Sequence, residues 1–471
     1  MKPNRFSRAL NALLGRSIGY EGAAPGRRWR GATEIPNLLT AAHQAREPLA
    51  RRARGLVANN AAAAAGCEAW VSSLIGTGLR PQPTHPDPDW RKRAANAWEK
   101  WTDQADFEGL GDLYAQQALV AGRTVVDGEC FVQLIHDDRD AALRLRVVEA
   151  HQIDGSLTRP LPDGGQIIAG IEFDAHGRRT AFHVLRKPPG ILAGFDLSRI
   201  RVPAEDMLQI MRASFPGQPR GMSWFAPVLL RLRDADETRD AMILKAKLGA
   251  ALAGFVYTAD GTTAGMDETR VDGGIFEGGI EPLTVKVLDP GQQITFSEPA
   301  RIGPEVVDFL SVTTKEIAAG LGVPASLISG DYGDANYSSL RAEKVAFQRR
   351  AETLQHHVFA YQLCRPVWRR FITTEILTGR LPAPGFERDP ERYLGARWIT
   401  PRDTWVDPQK DVEAEIAAID AGLLSRRQAV EARGISVEEL DAEIAADRER
   451  EAALGLDFNR TPRPNAPEVA Q

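Results

Sequence analysis

Two helical stretches set the scale of this 471-residue chain. From Ser223 to Leu252 the pattern is amphipathic, with Phe225, Val228, Leu229, Leu232, Met242, Ile243 and Ala246 on a stripe broken by charges near Asp236 to Asp240. At 1.5 Å per residue such a helix spans roughly 45 Å. A stripe this sparse suits packing between neighbouring subunits as well as within one. The second stretch, Ser338 to Thr378, starts at a serine N-cap and carries Pro366 inside it. An interior proline removes a backbone donor and clashes with the preceding turn, which predicts a kink near Cys364 to Pro366.

The remaining chain mixes helix and strand signals, so the expected class is α+β. Leu38 to Ile75 is an alanine-rich helical run, interrupted at Pro48 and stopped by Gly76-Thr77-Gly78. A helix capped by Asp89 places Trp90, Ala94, Ala97, Trp98 and Trp101 on one face, a core stripe rather than a ligand cage. Another helix is expected at about 110 to 125. Glu129 to His136 and Leu143 to Val148 read as a hairpin, followed by strands Gln166 to Phe173 and Thr180 to Arg186. Residues 253 to 303 turn Gly-rich, with short strand-like runs at Thr284 to Leu288 and Gln293 to Phe296, and read as a module inserted between helices. Helix resumes at Pro304 as an N1 proline and stops at Gly320-Leu321-Gly322-Val323-Pro324, ahead of a polar loop from Ser326 to Tyr337. After a strand at Arg397 to Thr400, short helices open at Asp407-Pro408, at Ser425 and at the capping box Ser436-Val437-Glu438-Glu439. The first 35 residues read as an extended arm and 456–471 as a disordered tail.

Composition removes several functions. Cys67, Cys130 and Cys364 form no CxxC pair, and an odd count argues against a disulfide framework. His176 and His183 have no second ligand at metal spacing, and the adjacent His356 and His357 fall on different helix faces. No apolar run is long enough to predict a membrane segment. GxxxxGK[ST], HExxH, GxSxG and a helix-opening GxGxxG are all missing, a strong negative for an ATP motor. Asp137/Asp138 and Asp331/Asp334 lie in turn-like sequence where Asp is expected for backbone reasons. With 58 Lys/Arg against 63 Asp/Glu the chain carries −5 overall, too acidic for an evident nucleic-acid binder. Charge is nonetheless polarised, net +8 over residues 1–54 and −8 over 403–451. Solvated helix faces explain that gradient, and so would a basic arm and an acidic rim facing different partners.

A set of phrases occurs in a telling order. Arg51-Arg52-Ala53-Arg54-Gly55-Leu56-Val57-Ala58-Asn59-Asn60 precedes Ile75-Gly76-Thr77-Gly78, Asp127-Gly128-Glu129, and Gly170-Ile171-Glu172-Phe173-Asp174 with Gly177-Arg178. Pro216-Gly217-Gln218-Pro219-Arg220-Gly221-Met222-Ser223 follows, then Gly320-Leu321-Gly322-Val323-Pro324, Asp331 with Asn336-Tyr337-Ser338-Ser339 and Arg341, and Trp405-Val406-Asp407-Pro408. Between about 46 and 445 this order resembles the lambda-type bacteriophage portal proteins.

The resemblance implies a non-enzymatic subunit without cofactors, in a homo-oligomeric ring of twelve at one capsid vertex of the virion, assembled in the host cytoplasm. Double-stranded DNA would pass through it non-specifically during packaging and ejection. The terminase large subunit, major capsid and scaffold proteins and a head-tail adaptor would be its partners, with no membrane contact. The alternative from another class is a DNA-processing or capsid-maturation enzyme of the same head module. The implied division is an N-terminal basic arm (1–39), wing (40–222), first stem helix (223–252), clip (253–303), second stem helix (304–322), tunnel loop (323–338), kinked helix and wing return (339–404), crown (405–455) and tail (456–471). Asp331, Tyr332, Asp334, Asn336 and Tyr337 would line the channel's narrowest point, in a polar segment where Gly330 and Gly333 permit sharp turns. A plain helix connector needs only about 2 to 8 residues.

Overall fold

The computed structural model describes residues 35, 37–137, 139–187, 198–250, 254–258, 292–296, 303–333, 337–401, 408–431, 433 and 437–456. Residues 1–34 of the expected arm, the strand Thr284 to Leu288, the caps Asp407 and Ser436 and the tail from 457 lie outside them. Helices and antiparallel sheets share the described part, as the mixed composition of signals predicts.

Helix α1, Leu38–Asn59, runs through Pro48 without a break. The interruption expected at Pro48 falls at Asn60 instead, whose backbone is extended and whose side chain caps α2, Ala61–Leu74, by accepting from Ala63 N. A polar cap redirects the chain here, while Pro48 loses only one helical donor. Strand β1, Arg80–Pro83, leads to α3, Pro88–Thr102, capped by Asp87 and not by Asp89, with Pro88 in the first turn. Trp90, Ala94, Trp98 and Trp101 are buried as the helical spacing requires. Trp98 packs its ring 4.8–5.2 Å from those of Trp101, Trp368 and Phe371.

Helix α4, Leu113–Asp127, ends at Gly128 in a left-handed conformation, φ 90°. The predicted hairpin follows as β2, Glu129–His136, and β3, Leu143–Val148. Next come β4, Arg159–Pro160, β5, Gln166–Ile168, β6, Ile171–Phe173, β7, Arg179–Leu185, β8, Arg199–Pro203, and β9, Met207–Met211. The single strand expected over Gln166 to Phe173 is thus a hairpin, turned at Ala169 and Gly170, both at positive φ. One sheet has the order β3-β2-β9 and another β4-β5-β6-β7-β8. His176 sits in the turn before β7, and His183 on β7 lies 3.2 Å from Glu172, placements that match their structural reading.

Helix α5, Leu229–Ala250, starts six residues later than the expected Ser223. Ser223 to Val228 makes successive turns around Pro227, which has no N–H to donate. Phe225, Val228, Leu229 and Leu232 are buried, yet Leu230, Ile243 and Leu244 are 77%, 52% and 58% exposed. Strands β10, Gly254–Thr258, and β11, Gln292–Phe296, pair antiparallel. Helix α6, Pro304–Leu321, begins on its N1 proline and ends at left-handed Gly322, as read from sequence. The segment read as a loop from Ser326 contains a short helix α7, Ala325–Ser329, and α8, Tyr337–Leu354, opens at Tyr337 rather than behind Ser338.

Around Pro366 the helix changes type. Residues Gln355–Cys364 form a π-helix, continued by α9, Arg365–Leu377, with the N–H of Arg365 donating to the carbonyl of Ala360 five residues back. The wider turn accommodates a proline that has no N–H and whose ring would strike the carbonyl four residues earlier in α geometry. His356 and His357, expected to diverge, bring their Nδ1 atoms to 3.5 Å within this segment. Helix α10, Glu391–Leu394, precedes β12, Ala396–Ile399, which pairs with β1. Helices α11, Pro408–Asp420, α12, Arg426–Glu431, and α13, Val437–Leu454, complete the described chain.

Most helices and sheet β3-β2-β9 bury one large apolar cluster, and a second, around Phe131, Ile171, Phe173, Phe182, Val202 and Met207, joins the two sheets.

Candidate functional site: the stem base

Three phrases distant in sequence meet where α5 and α6 enter the body. Glu129 is fully buried, and its Oε1 accepts from Arg220 Nε at 2.6 Å. Its Oε2 accepts from Gly221 N at 2.9 Å and Gln209 Nε2 at 2.8 Å. Arg220, itself buried, also donates Nη1 to the carbonyl of Ala169 at 2.6 Å and Nη2 to that of Ala150 at 2.7 Å. One guanidinium therefore ties β2, the turn of β5-β6 and the turn at Ala150 that follows β3 to the segment that leads into α5. Arg46 from α1 approaches Glu129 at 3.8 Å, and burial together with the nearby Arg220 pulls its guanidinium down to about 10. Beside it Asp127 accepts from Arg54 Nε at 2.7 Å; burial pushes this carboxyl up against the pull of Arg123 and Arg54.

Glycine is required at the centre of this lock. A Cβ on Gly128 would lie 2.1 Å from the backbone of Met222, at a φ that L side chains rarely adopt, and one on Gly221 would lie 2.2 Å from the carbonyl of Gly128. Asp127-Gly128-Glu129 and Arg220-Gly221-Met222 thus pack backbone against backbone.

The end of α6 is held from the other side. Trp70 Nε1 donates to the carbonyl of Leu321 at 3.1 Å, and Arg350 Nη1 to that of Gly322 at 3.1 Å. A Cβ on Gly66 would meet the Leu321 side chain at 2.4 Å, and one on Gly320 the Val228 side chain at 2.5 Å. Trp224 and Phe347 pack edge-on against Trp70 at 5.1 and 5.0 Å.

Residues 330–333, just beyond α7, are exposed. Left-handed Gly330 caps the helix, Asp331 N donates to Ser329 Oγ, and Asp331 Oδ1 accepts from Gly333 N at 2.9 Å. The structure brings Asp331 and Tyr332 together on this solvent-facing turn, with Tyr332 53% exposed. Asp334 and Asn336 lie outside the described residues, as does the side chain of Tyr337, the first residue of α8. Pro366 lies more remotely, at the start of α9.

Among the described residues there is no group of three or more His, Cys, Asp or Glu placed to hold a metal ion. Burial pushes all three thiols up, that of Cys67 to about 11, so none is a ready nucleophile. Nor is any described helix long and apolar enough to cross a membrane. What the site offers is mechanical: a buried ionic lock joins the root of α5 to a β body, and hydrogen bonds from Trp70 and Arg350 hold the end of α6 beside it. Its phrases stand apart in the sequence and their spacing does not say that they meet; the adjoining Gly128 and Glu129 are the one local signal.

The portal protein of Escherichia phage N15 is 22% identical over 465 residues, covering 86% of this chain and 84% of that protein. Portal protein B of Escherichia phage lambda is likewise 22% identical, over 474 residues and the same shares. Among solved structures, a chain in the neck of a native GTA particle with C12 symmetry covers 86% of this chain and 94% of its own length, at 16% identity and a TM-score of 0.47. An overlap this loose is a likeness and no more. The profile described as "Phage portal protein, lambda family" matches residues 26–355, which include both halves of the Glu129–Arg220 lock and the Gly320–Pro324 turn, and the chain belongs to that family of phage portal proteins.

Proposed function

We propose that this chain is the subunit of a portal ring, most simply of twelve copies, at one vertex of a phage or prophage capsid, through which double-stranded DNA is packaged and ejected. The observation that carries the ring is the surface of α5 and α6. Leu230, Ile243 and Leu244 on the first helix, with Val307, Phe309 and Val312 on the second, are all more than half exposed in the single chain. Apolar residues spread along two long helices call for neighbours to cover them. In this reading 40–222 is the wing, α5 and α6 the stem, 253–303 the clip and 405–455 the crown. The terminase large subunit, the major capsid and scaffold proteins and a head-tail adaptor dock on the assembled ring. No catalytic step is assigned to it.

Negative-stain images of the purified full chain test the ring: class averages with rotational symmetry are expected. A strictly monomeric protein, or one with metal-dependent nuclease or protease activity, overturns the reading in favour of an enzyme of the head module. The loop of Asp331, Tyr332, Asp334, Asn336 and Tyr337 is proposed to face the channel. An Asp334→Cys variant should cross-link to DNA in filled particles. Its labelling in intact particles by a reagent too bulky for the channel would place the loop outside.

A further inference from the structure

The loop between α3 and α4 displays apolar side chains on a rigid frame. Phe107 is 49% and Leu110 90% exposed. Yet the backbone that carries them is fixed, because Asp106 accepts from Glu108 N, Leu110 N, Gly111 N and Gln116 Nε2, at 2.7–3.2 Å. The loop also docks on the edge of β3, Phe107 N donating to the carbonyl of Leu145 and Leu145 N to that of Ala105. It is acidic: Asp103, Asp106, Glu108 and Asp112 lie in a stretch without Lys or Arg between Lys100 and Arg123, and Glu108 stands 3.8 Å from Arg146 of β3 in a solvent-exposed pair. Holding Leu110 in solvent so firmly gains nothing for the isolated chain, but it spares a partner the entropy of ordering the loop.

A complementary surface lies on the same chain. An open groove of about 680 Å³ runs between β9 and the π-helix. Phe182, Met207 and Met211 line it with Arg179, Tyr361 and Arg365, and no acidic side chain is among its lining residues. Neither Arg179 nor Arg365 has a carboxylate within ion-pair distance among the described residues. Sheet order is β3-β2-β9, so the acidic knob stands on one edge of the sheet and the basic-rimmed groove on the other. With β2 fixed between them, knob and groove face apart in one chain.

We propose that the knob of one copy seats Phe107 and Leu110 in the groove of the next, with Glu108 facing the arginines at its rim. Two different surfaces on opposite edges make a head-to-tail contact, the kind that closes a ring when the rotation between copies allows. The partner is thus a second copy of this chain, and the proposal rests on the ring reading above.

Cross-linking decides it. In a variant combining Leu110→Cys with Ala213→Cys, the latter at an exposed position lining the groove, a short bis-maleimide should yield a ladder of covalent multimers. A mixture of the two single variants should stop at dimers. The native thiols are buried, so the parent protein should not react. Leu110→Glu and Arg365→Glu should each weaken the contact by about tenfold or more. Combining Glu108→Arg with Arg365→Glu should recover part of that loss. Leu110 is almost wholly exposed, so its variant keeps the monomer fold. If the parent chain forms no rings, the portal reading itself fails. If rings form but the double variant gives no ladder, or Leu110→Glu assembles as readily as the parent, the knob-and-groove contact is wrong and the ring stands.

Discussion

Glu129 has no exposed surface and accepts three hydrogen bonds, two from charged or backbone donors at the root of α5 and one from Gln209. Removing one partner of such a pair strands the other in a low-dielectric interior, a loss of about 3 to 5 kcal/mol. Glu129→Gln and Arg220→Ala are each expected to lower unfolding stability by that order in urea titrations, and a double-mutant cycle should show them strongly non-additive. Independent, additive losses of under about 1 kcal/mol would remove the lock from the account. Glu172 governs a second, pH-dependent contribution. Its carboxylate accepts from Arg201, Thr180 and His183, and these donors, Arg201 foremost, hold it down at about 2 against the opposing effect of burial. A depressed carboxylate stabilises the fold above its unfolded pKa of about 4.5, and that contribution fades as pH falls toward 2. Discounted for the half-exposed Arg201, it is on the order of 2 kcal/mol. Acid titration of the parent and Glu172→Gln should therefore converge at low pH and separate above about 4.5.

Among the elements, the π-helix has the most distinctive consequence. It aims Gln362 at β9, where Oε1 accepts from Met211 N at 2.8 Å and Nε2 donates to Met211 O at 3.1 Å, so a side chain pairs with the strand in place of another strand. Pro366→Ala restores a donor and removes the ring, letting the segment tighten toward α geometry and turn Gln362 away. Rings are expected to form, with faster hydrogen exchange at the Met211 amide and reduced packaging. Unchanged exchange and normal packaging would show that the wide turns are held by something other than the proline. At this scale the sequence was informative wherever local chemistry decides. Gly322, the hairpin of β2 and β3 and the N1 Pro304 were all legible. Strand β1 was not, because Pro81 and Pro83 argue against a strand, and only pairing with β12 makes it one.

For the whole molecule, charge sets the expected dealings with DNA. If the proposed ring holds twelve copies at −5 each, it carries a formal −60, and a moving duplex should be repelled rather than gripped. Isolated rings should bind duplex DNA weakly; tight binding at physiological salt in a filter or mobility assay would contradict this. Residue order alone determined the family resemblance, the mixed fold class and such local features as the N1 Pro304, the stop at Gly322 and the hairpin of β2 and β3, since these depend on neighbours within a few residues. Tertiary structure decided that Asp127-Gly128-Glu129 meets Arg220-Gly221-Met222, and that an acidic knob and a basic groove occupy opposite edges of one sheet. Each depends on contacts across tens to hundreds of residues, which no local pattern of side chains encodes.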